Sequence, residues 1–215
     1  MSAAWTLAAA DICTDALEHL GAIAAGETIG AEDMQVALRA LDAVLKELPL
    51  AGYTWPKLSG EVALAWTGGQ SIPLPTDYFG SPVAWHLVDG RKVPLSQIPH
   101  ADWLQMTDRG SAVGTPTHFY VGPGKTLCLW PVPESEPAVT LQYQRIVADA
   151  DRFAQPDVPQ YMLNALGYGV ANELVLKFGA DAALAQSIAT RWQSKRAAAL
   201  EYSIESAPIC FEVRE

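Results

Sequence analysis

The sequence predicts an α+β protein: a mainly α-helical bundle with an inserted small antiparallel β-rich domain and an extended C-terminal tail. Three observations carry this. Helical periodicity runs to about Leu50, short β-type runs broken by Pro and Gly fill the middle, and helical periodicity returns after Pro159. The boundaries that follow are 1–52 and 156–206 for the bundle, 53–155 for the insertion and 207–215 for the tail. A chain of 215 residues is long enough to bury a core for one helical body with such an insert.

The elements follow in order. Ala9, Ile12, Cys13, Ala16, Leu17 and Leu20 recur at three- and four-residue steps, which predicts an amphipathic helix over 6–20 stopped by Gly21. Met34, Leu38, Leu41, Val44, Leu45 and Leu48 repeat the pattern. Glu32 and Asp33 stand in the first turn of this second helix, where the dipole favours carboxylates, and Gly52 follows its end. These two helices are expected to pair antiparallel across the loop at 26–30.

In the middle, 61–66, 83–88, 118–121 and 126–130 read as strands. Asp89-Gly90 and Gly122-Pro123-Gly124 read as hairpin turns, because tight turns need the positive φ that glycine tolerates. Val139, Leu141 and Tyr143 alternate with Thr140, Gln142 and Gln144, so the last strand has one buried face. Ile98, Trp103 and Met106 suggest a short helix within 96–108.

After Pro159, Met162, Leu163, Leu166, Val170, Leu174 and Phe178 trace a stripe that ends at Gly179, and Asp181 opens a last helix that runs past Trp192 and Leu200. Gly167 and Gly169 lie inside the stripe and each cost up to about 1 kcal/mol relative to Ala, so close approach of another helix must compensate. The expectation is that they serve a subunit interface. The tail, 206–215, contains Pro208 and the apolar Ile209, Phe211 and Val213, too few for a core of their own, so it is expected either to pack on its own subunit or to order on a partner.

Composition excludes several classes. The net charge of −10 opposes duplex binding, which is driven by Lys and Arg displacing counterions from phosphates, and it serves solubility or a surface that repels DNA. No apolar run approaches the roughly 20 residues of a membrane span, and the N-terminus has no basic region, so a soluble, unprocessed chain is expected. Cys13, Cys128 and Cys210 are odd in number and far apart, without metal-ligand spacing, which suits a reducing compartment.

No catalytic, cofactor or metal site emerges. Gly124-Lys125-Thr126 has the outline of a phosphate loop, but Phe119 stands where the motif needs its first glycine and a strand follows where it needs a helix. His19, His86, His100 and His118 form no i, i+4 ligand pair; His100 with Asp102 and Asp108 is the nearest approach to a cluster and fits a solvated helix start. The pairs Glu134/Glu136 and Asp149/Asp151 read as loop charge. Trp55, Trp66, Trp85, Trp103, Tyr120, Trp130 and Tyr143 could form a carbohydrate platform, yet their alternation with aliphatics fits a sheet core.

The order of features resembles the head-to-tail adaptor (connector) proteins of tailed bacteriophages, including the tail accessory and tail tubular proteins of short-tailed phages. Four stretches carry the resemblance. The first is Asp11-Ile12 through Ala16-Leu17, Leu20-Gly21, Asp33-Met34, Ala37-Leu38 and Leu41; the second is Tyr53-Thr54-Trp55. The third is Leu74-Pro75-Thr76-Asp77-Tyr78. The fourth joins Gly114-Thr115-Pro116 to Leu127-Cys128-Leu129-Trp130-Pro131-Val132-Pro133, Leu141-Gln142-Tyr143 and the helix after Pro159.

The resemblance implies a non-enzymatic virion protein without cofactors, assembled in the host cytoplasm as a ring of twelve copies at the head–tail junction. Its partners would be the portal protein, a downstream tail or nozzle protein, and DNA that passes through the channel without specific binding; no membrane is involved. On that reading Ile209, Phe211 and Val213 would dock on the portal or a neighbour, and Gly167 and Gly169 would lie between subunits. The rival expectation is a glycan-binding or tail-associated hydrolase module on the β-rich middle.

Overall fold

In the computed structural model the described residues are 5–51, 61–65, 71–88, 90–134 and 139–203. The chain divides into two compact units, Met1–Trp55 with Val147–Glu215, and Pro56–Ile146.

The first unit holds helices α1 (Ala9–His19), α2 (Ala31–Leu50), α4 (Gln160–Phe178) and α5 (Ala182–Ser203). The predicted periodicity sets their buried faces: Ile12, Cys13, Ala16 and Leu17 on α1, and Leu41, Val44, Leu45 and Leu48 on α2, have almost no solvent exposure. α1 starts three residues later than the pattern suggested. Its first amides need acceptors outside the helix, and they find them in the chain that leads into α4. Ala9 N–H donates to the Ala154 carbonyl at 2.9 Å and Ala10 N–H to the Arg152 carbonyl at 3.0 Å.

The same connecting segment is tied to α2. Lys46 donates to the Val147 carbonyl and pairs with Asp149 at 2.7 Å, and Asp42 accepts the Ala150 N–H at 2.7 Å. At the other end of α4, Gly179 takes the left-handed conformation (φ +71°) expected of a helix stop. Asp181 then caps α5 through the Leu184 N–H at 2.8 Å.

α4 buries a wider surface than the expected stripe. Ala165, Gly167, Gly169 and Ala171 are buried along with Met162, Leu163, Leu166, Val170 and Leu174. A helix of this kind belongs in the middle of its layer, and α4 packs against α1, α2 and α5.

The second unit is built on a seven-stranded sheet. Its strands are β1 (Glu61–Leu64), β2 (Ser71–Pro73), β3 (Tyr78–Val88), β4 (Arg91–Gln97), β5 (His118–Gly122), β6 (Thr126–Trp130) and β7 (Val139–Arg145), in the order β1-β7-β3-β4-β5-β6-β2. The expectation of an antiparallel sheet needs correction, because β4 and β5 run parallel at Ser96–His118 and Gln97–Phe119. Parallel neighbours require a crossover. Here the chain between them includes the short helix α3 (His100–Gln105), inside the segment marked for it.

The predicted strand at 83–88 extends back to Tyr78. Gly80 and Pro82 sit where β3 shifts register against β7, with Ser81 at φ +49°. Such bulges bend a strand without ending it. The bending has a packing consequence: Leu64, Ile72, Ala84, Leu95, Phe119, Leu127 and Val139, one from each strand, meet in a single cluster. The sheet therefore curls around its own inner face. On the outer side of β5 and β6, α3 contributes Trp103, which stacks on Tyr120 with ring centroids 4.8 Å apart.

Both predicted hairpins form, β3–β4 and β5–β6. In the second, the left-handed residue is Lys125 (φ +52°) and not Gly124. A non-glycine residue there costs roughly 1–2 kcal/mol. Ties from Lys125 to the strand β2 region offset it: its carbonyl accepts the Leu74 N–H at 2.9 Å and its amine donates to the Thr76 carbonyl at 3.0 Å.

Tyr143 on β7 is the polar anchor of this unit. Its hydroxyl donates to Asp77 at 2.8 Å, and burial together with this bond pushes the phenol up to about 12. Replacing Tyr143 with Phe removes a half-buried charge-assisted bond while keeping the ring, so a loss of about 1–2 kcal/mol is expected. An unchanged urea midpoint for Tyr143→Phe would show that the bond contributes nothing.

Candidate interaction surfaces

The sequence candidates for chemistry do not converge. Among the described residues no group of His, Cys, Asp or Glu is arranged to hold a metal ion. His86 is buried in β3, where desolvation holds its imidazole below the usual range; His100 bonds to the Tyr120 hydroxyl at 2.6 Å; His118 bonds to Thr117. Asp149 is occupied by Lys46, and Asp151 accepts the Phe153 N–H at 3.0 Å in a local turn. Cys13 is buried, which with the Asp42 charge raises its thiol to about 12, and burial raises that of Cys128. Neither is poised as a nucleophile.

Of the five described aromatic candidates, four belong to the core and Trp130 is only partly buried. Trp85, Trp103, Tyr120 and Tyr143 are each less than 10% exposed. Trp55 and Trp66 lie outside the described residues, as do Ile209, Phe211 and Val213 of the tail.

Gly167 and Gly169 are buried in α4, and the space above each is filled by the same chain. A Cβ on Gly167 would meet the Asp15 Cβ of α1 at 3.6 Å, an ordinary contact. One on Gly169 would meet the Trp192 ring of α5 at 3.1 Å and Val44 of α2 at 3.2 Å, closer than carbon atoms normally approach. At Gly169 the close helix approach that the cost of a glycine demanded is thus found inside the subunit.

Next to Gly167 and Gly169 stands a cluster that the sequence reading passed over. Tyr168 stacks on His19 of α1 with centroids 4.3 Å apart, while Arg191 and Lys195 of α5 lie 5.8 and 5.4 Å from the Tyr168 ring centroid. Arg191 also donates to the Tyr168 hydroxyl at 3.4 Å. The i, i+4 spacing of Arg191 and Lys195 on a helix was the available signal, since it puts two cations on one face. Burial lowers the affinity of His19 for a proton; Asp15 and Glu18 oppose this, and Arg191 and Lys195 reinforce it.

A second feature is a shallow groove of about 280 Å³ between α4 and α5, lined by Tyr161, Asn164, Ala165, Lys195, Ala198 and Ala199. A third is the β3–β4 hairpin, where Val83, Leu87, Val88 and Val93 are exposed. Helices and sheet therefore present surfaces suited to contact with other proteins, and the described residues assemble no reactive centre.

That class, a structural protein that joins others, agrees with the comparison to known families. The model of the SU10 adaptor protein family matches residues 7–208, nearly the whole chain. The protein belongs to this family, consistent with a phage head–tail adaptor, a structural and non-enzymatic kind of protein. No curated protein matches the chain.

Two outcomes follow. Gly167→Ala should be neutral or stabilise by up to about 1 kcal/mol through helix propensity, whereas Gly169→Leu overpacks the contact with Trp192 and Val44 and should cost more than about 3 kcal/mol. Thermal melts of the two variants decide this, and equal tolerance would contradict the packing described. For His19 the folded state favours the neutral ring, so below about pH 6.5 the unfolded chain takes up a proton that the folded chain resists. Its stability contribution is complete above that pH and falls as the pH drops toward the lowered folded value. The loss of melting temperature between pH 7 and 5 should shrink in His19→Gln; an identical loss would remove His19 from the account.

Proposed function

We propose that the protein is the head–tail adaptor of a phage virion, forming a ring that docks on the portal and extends the DNA channel toward the tail. The observation that carries this reading is the family match across residues 7–208. The acidity of the chain agrees with a channel wall that does not hold DNA. In this reading the helical part, 1–52 and 156–206, makes the ring of twelve, and the β-rich part, 53–155, faces outward or toward the next tail component. The faces of α4 and α5, the first of which carries Gly167 and Gly169, form the subunit contact. The apolar tail residues Ile209, Phe211 and Val213 engage the portal, because one buried aromatic can dominate a small interface.

The glycan-binding alternative needs exposed aromatic rings. Of the candidate rings Trp85, Trp103, Tyr120, Trp130 and Tyr143, all but Trp130 are buried, which favours the adaptor reading.

Electron microscopy of the protein mixed with portal rings tests the proposal. A coaxial stack is expected, and portal rings that remain bare would overturn it. Deleting residues 207–215 should leave the helical content intact and abolish the stack; a stack formed by the truncated chain would remove the tail from the docking role.

A further inference from the structure

The segment that leads into α4 holds Phe153 out in water at 82% exposure, the most exposed aromatic ring among the described residues. Its backbone is fastened on every side. Asp151 accepts the Phe153 N–H at 3.0 Å and the Asp151 carbonyl accepts the Ala154 N–H at 3.1 Å. The carbonyls of Arg152 and Ala154, on either side of Phe153, accept the first amides of α1, while Lys46 and Asp42 of α2 hold Val147, Asp149 and Ala150. A ring presented on so fixed a loop loses little freedom when it is covered, and that is the condition under which one aromatic side chain anchors a contact.

A receptor of matching size lies on other helices of the same unit. The groove between α4 and α5, about 280 Å³, has the buried Ala165 and Ala199 as its floor and Tyr161, Asn164, Ala198 and the half-exposed Lys195 as its rim. It is at the bottom of the size range of small-molecule sites and of the right order for a single aromatic side chain. The charges beside it mirror those of the loop with the signs exchanged. On α5, Lys195 and the exposed Glu201 stand on either side of Ala198, and among the described residues no carboxylate forms an ion pair with Lys195. In the loop, the exposed Asp151 and Arg152 precede Phe153, and Arg152 lies over the Phe153 ring at 5.3 Å and so accompanies it.

We propose that this groove receives Phe153 of a second copy of the chain, with that copy's Asp151 toward Lys195 and its Arg152 toward Glu201. Size, apolarity and two opposite charge pairs match within one sequence, so every copy carries both halves of the contact. Within a subunit the ring is in water, which leaves it available to a neighbour. Loop and groove are different surfaces, so each copy uses its loop on one neighbour and its groove on another. Head-to-tail contacts of this kind close into rings where the rotation permits. The inference rests on the reading of the protein as a ring-forming adaptor and gives that ring its contact.

Sedimentation velocity of the intact chain, without a portal, tests it. The wild-type protein at up to about 0.1 mM should form species larger than a pair. Phe153→Ala removes the ring and Ala198→Trp fills the groove; each alone should raise the dissociation constant at least about tenfold, with circular dichroism showing an intact fold. An equimolar mixture of these two should recover pairs and stop there, because one intact loop meets one intact groove and neither end can extend. Lys195→Glu, which leaves the groove open, should also weaken association, and added salt should weaken the wild type more than this variant. A wild type that stays monomeric or variants that associate as the wild type does would overturn the proposal. So would a mixture that fails to pair or that grows as large as the wild type. None of these outcomes involves the portal, so failure of this contact is told apart from failure of the adaptor reading, which the portal stack decides.

Discussion

The helical unit depends on how closely α4 can lie against three neighbours at once. A helix in that position buries most of its surface, and the residues it buries are accordingly small or apolar. Bulk would then keep the neighbours apart. Gly169 lets Trp192 and Val44 approach from opposite helices to within about 3.2 Å of the position a side chain would take, so that α2 and α5 both close on α4 at one level. The glycines cost helix propensity of about 1 kcal/mol each. Contact of a buried Trp ring and several fully buried leucines offsets that cost, since each large apolar side chain removed from water contributes about 1.5–3 kcal/mol.

Around this centre the rest of the unit is fastened by backbone groups that a helix leaves unpaired. The first amides of α1 are capped by carbonyls of Arg152 and Ala154, and the same segment is held to α2 by Lys46 and Asp42. Residues more than a hundred positions apart in sequence are brought together in this way. The chain can therefore make a long excursion through the β-rich residues and return to a defined place on the helices.

How much of this could be read beforehand follows from the range of the interactions involved. The faces of α1 and α2, the stop at Gly179 and the cap at Asp181 depend on neighbours within one or two helical turns, and the periodicity identified them. The alternation at Val139, Leu141 and Tyr143 likewise marked the buried face of β7. The parallel pairing of β4 with β5 depends on where a twenty-residue excursion returns, for which no local pattern exists. The start of β3 at Tyr78, five residues before the expected 83, was not legible because the Gly80 and Pro82 of a bulge are also the residues of a strand end. At the surfaces, the glycines were correctly read as sites of close approach, but the partner helix could not be identified from spacing alone. The cluster of His19, Tyr168, Arg191 and Lys195 draws on three helices, so only its Arg191/Lys195 pair left a trace in the sequence.

The distribution of charge bears on what such a protein could do beside DNA. Its cations are largely occupied in holding its own structure. Lys46 donates to Val147 and pairs with Asp149, and Lys125 and Arg109 donate to backbone carbonyls. Lys92 lies over Trp85, Arg152 over Phe153, and Arg191 and Lys195 over Tyr168. A cation engaged in this way must give up an existing contact before it can neutralise a phosphate. Several carboxylates, among them Glu32 and Asp33, stand exposed on the surface. The effective surface is therefore less attractive to a polyanion than even the formal charge of −10 implies, because counterion release needs cations that are free to approach the backbone. Contacts with other proteins face no such obstacle. An aromatic ring flanked by Arg and Lys, a small-residue groove and exposed valines are features that protein interfaces use.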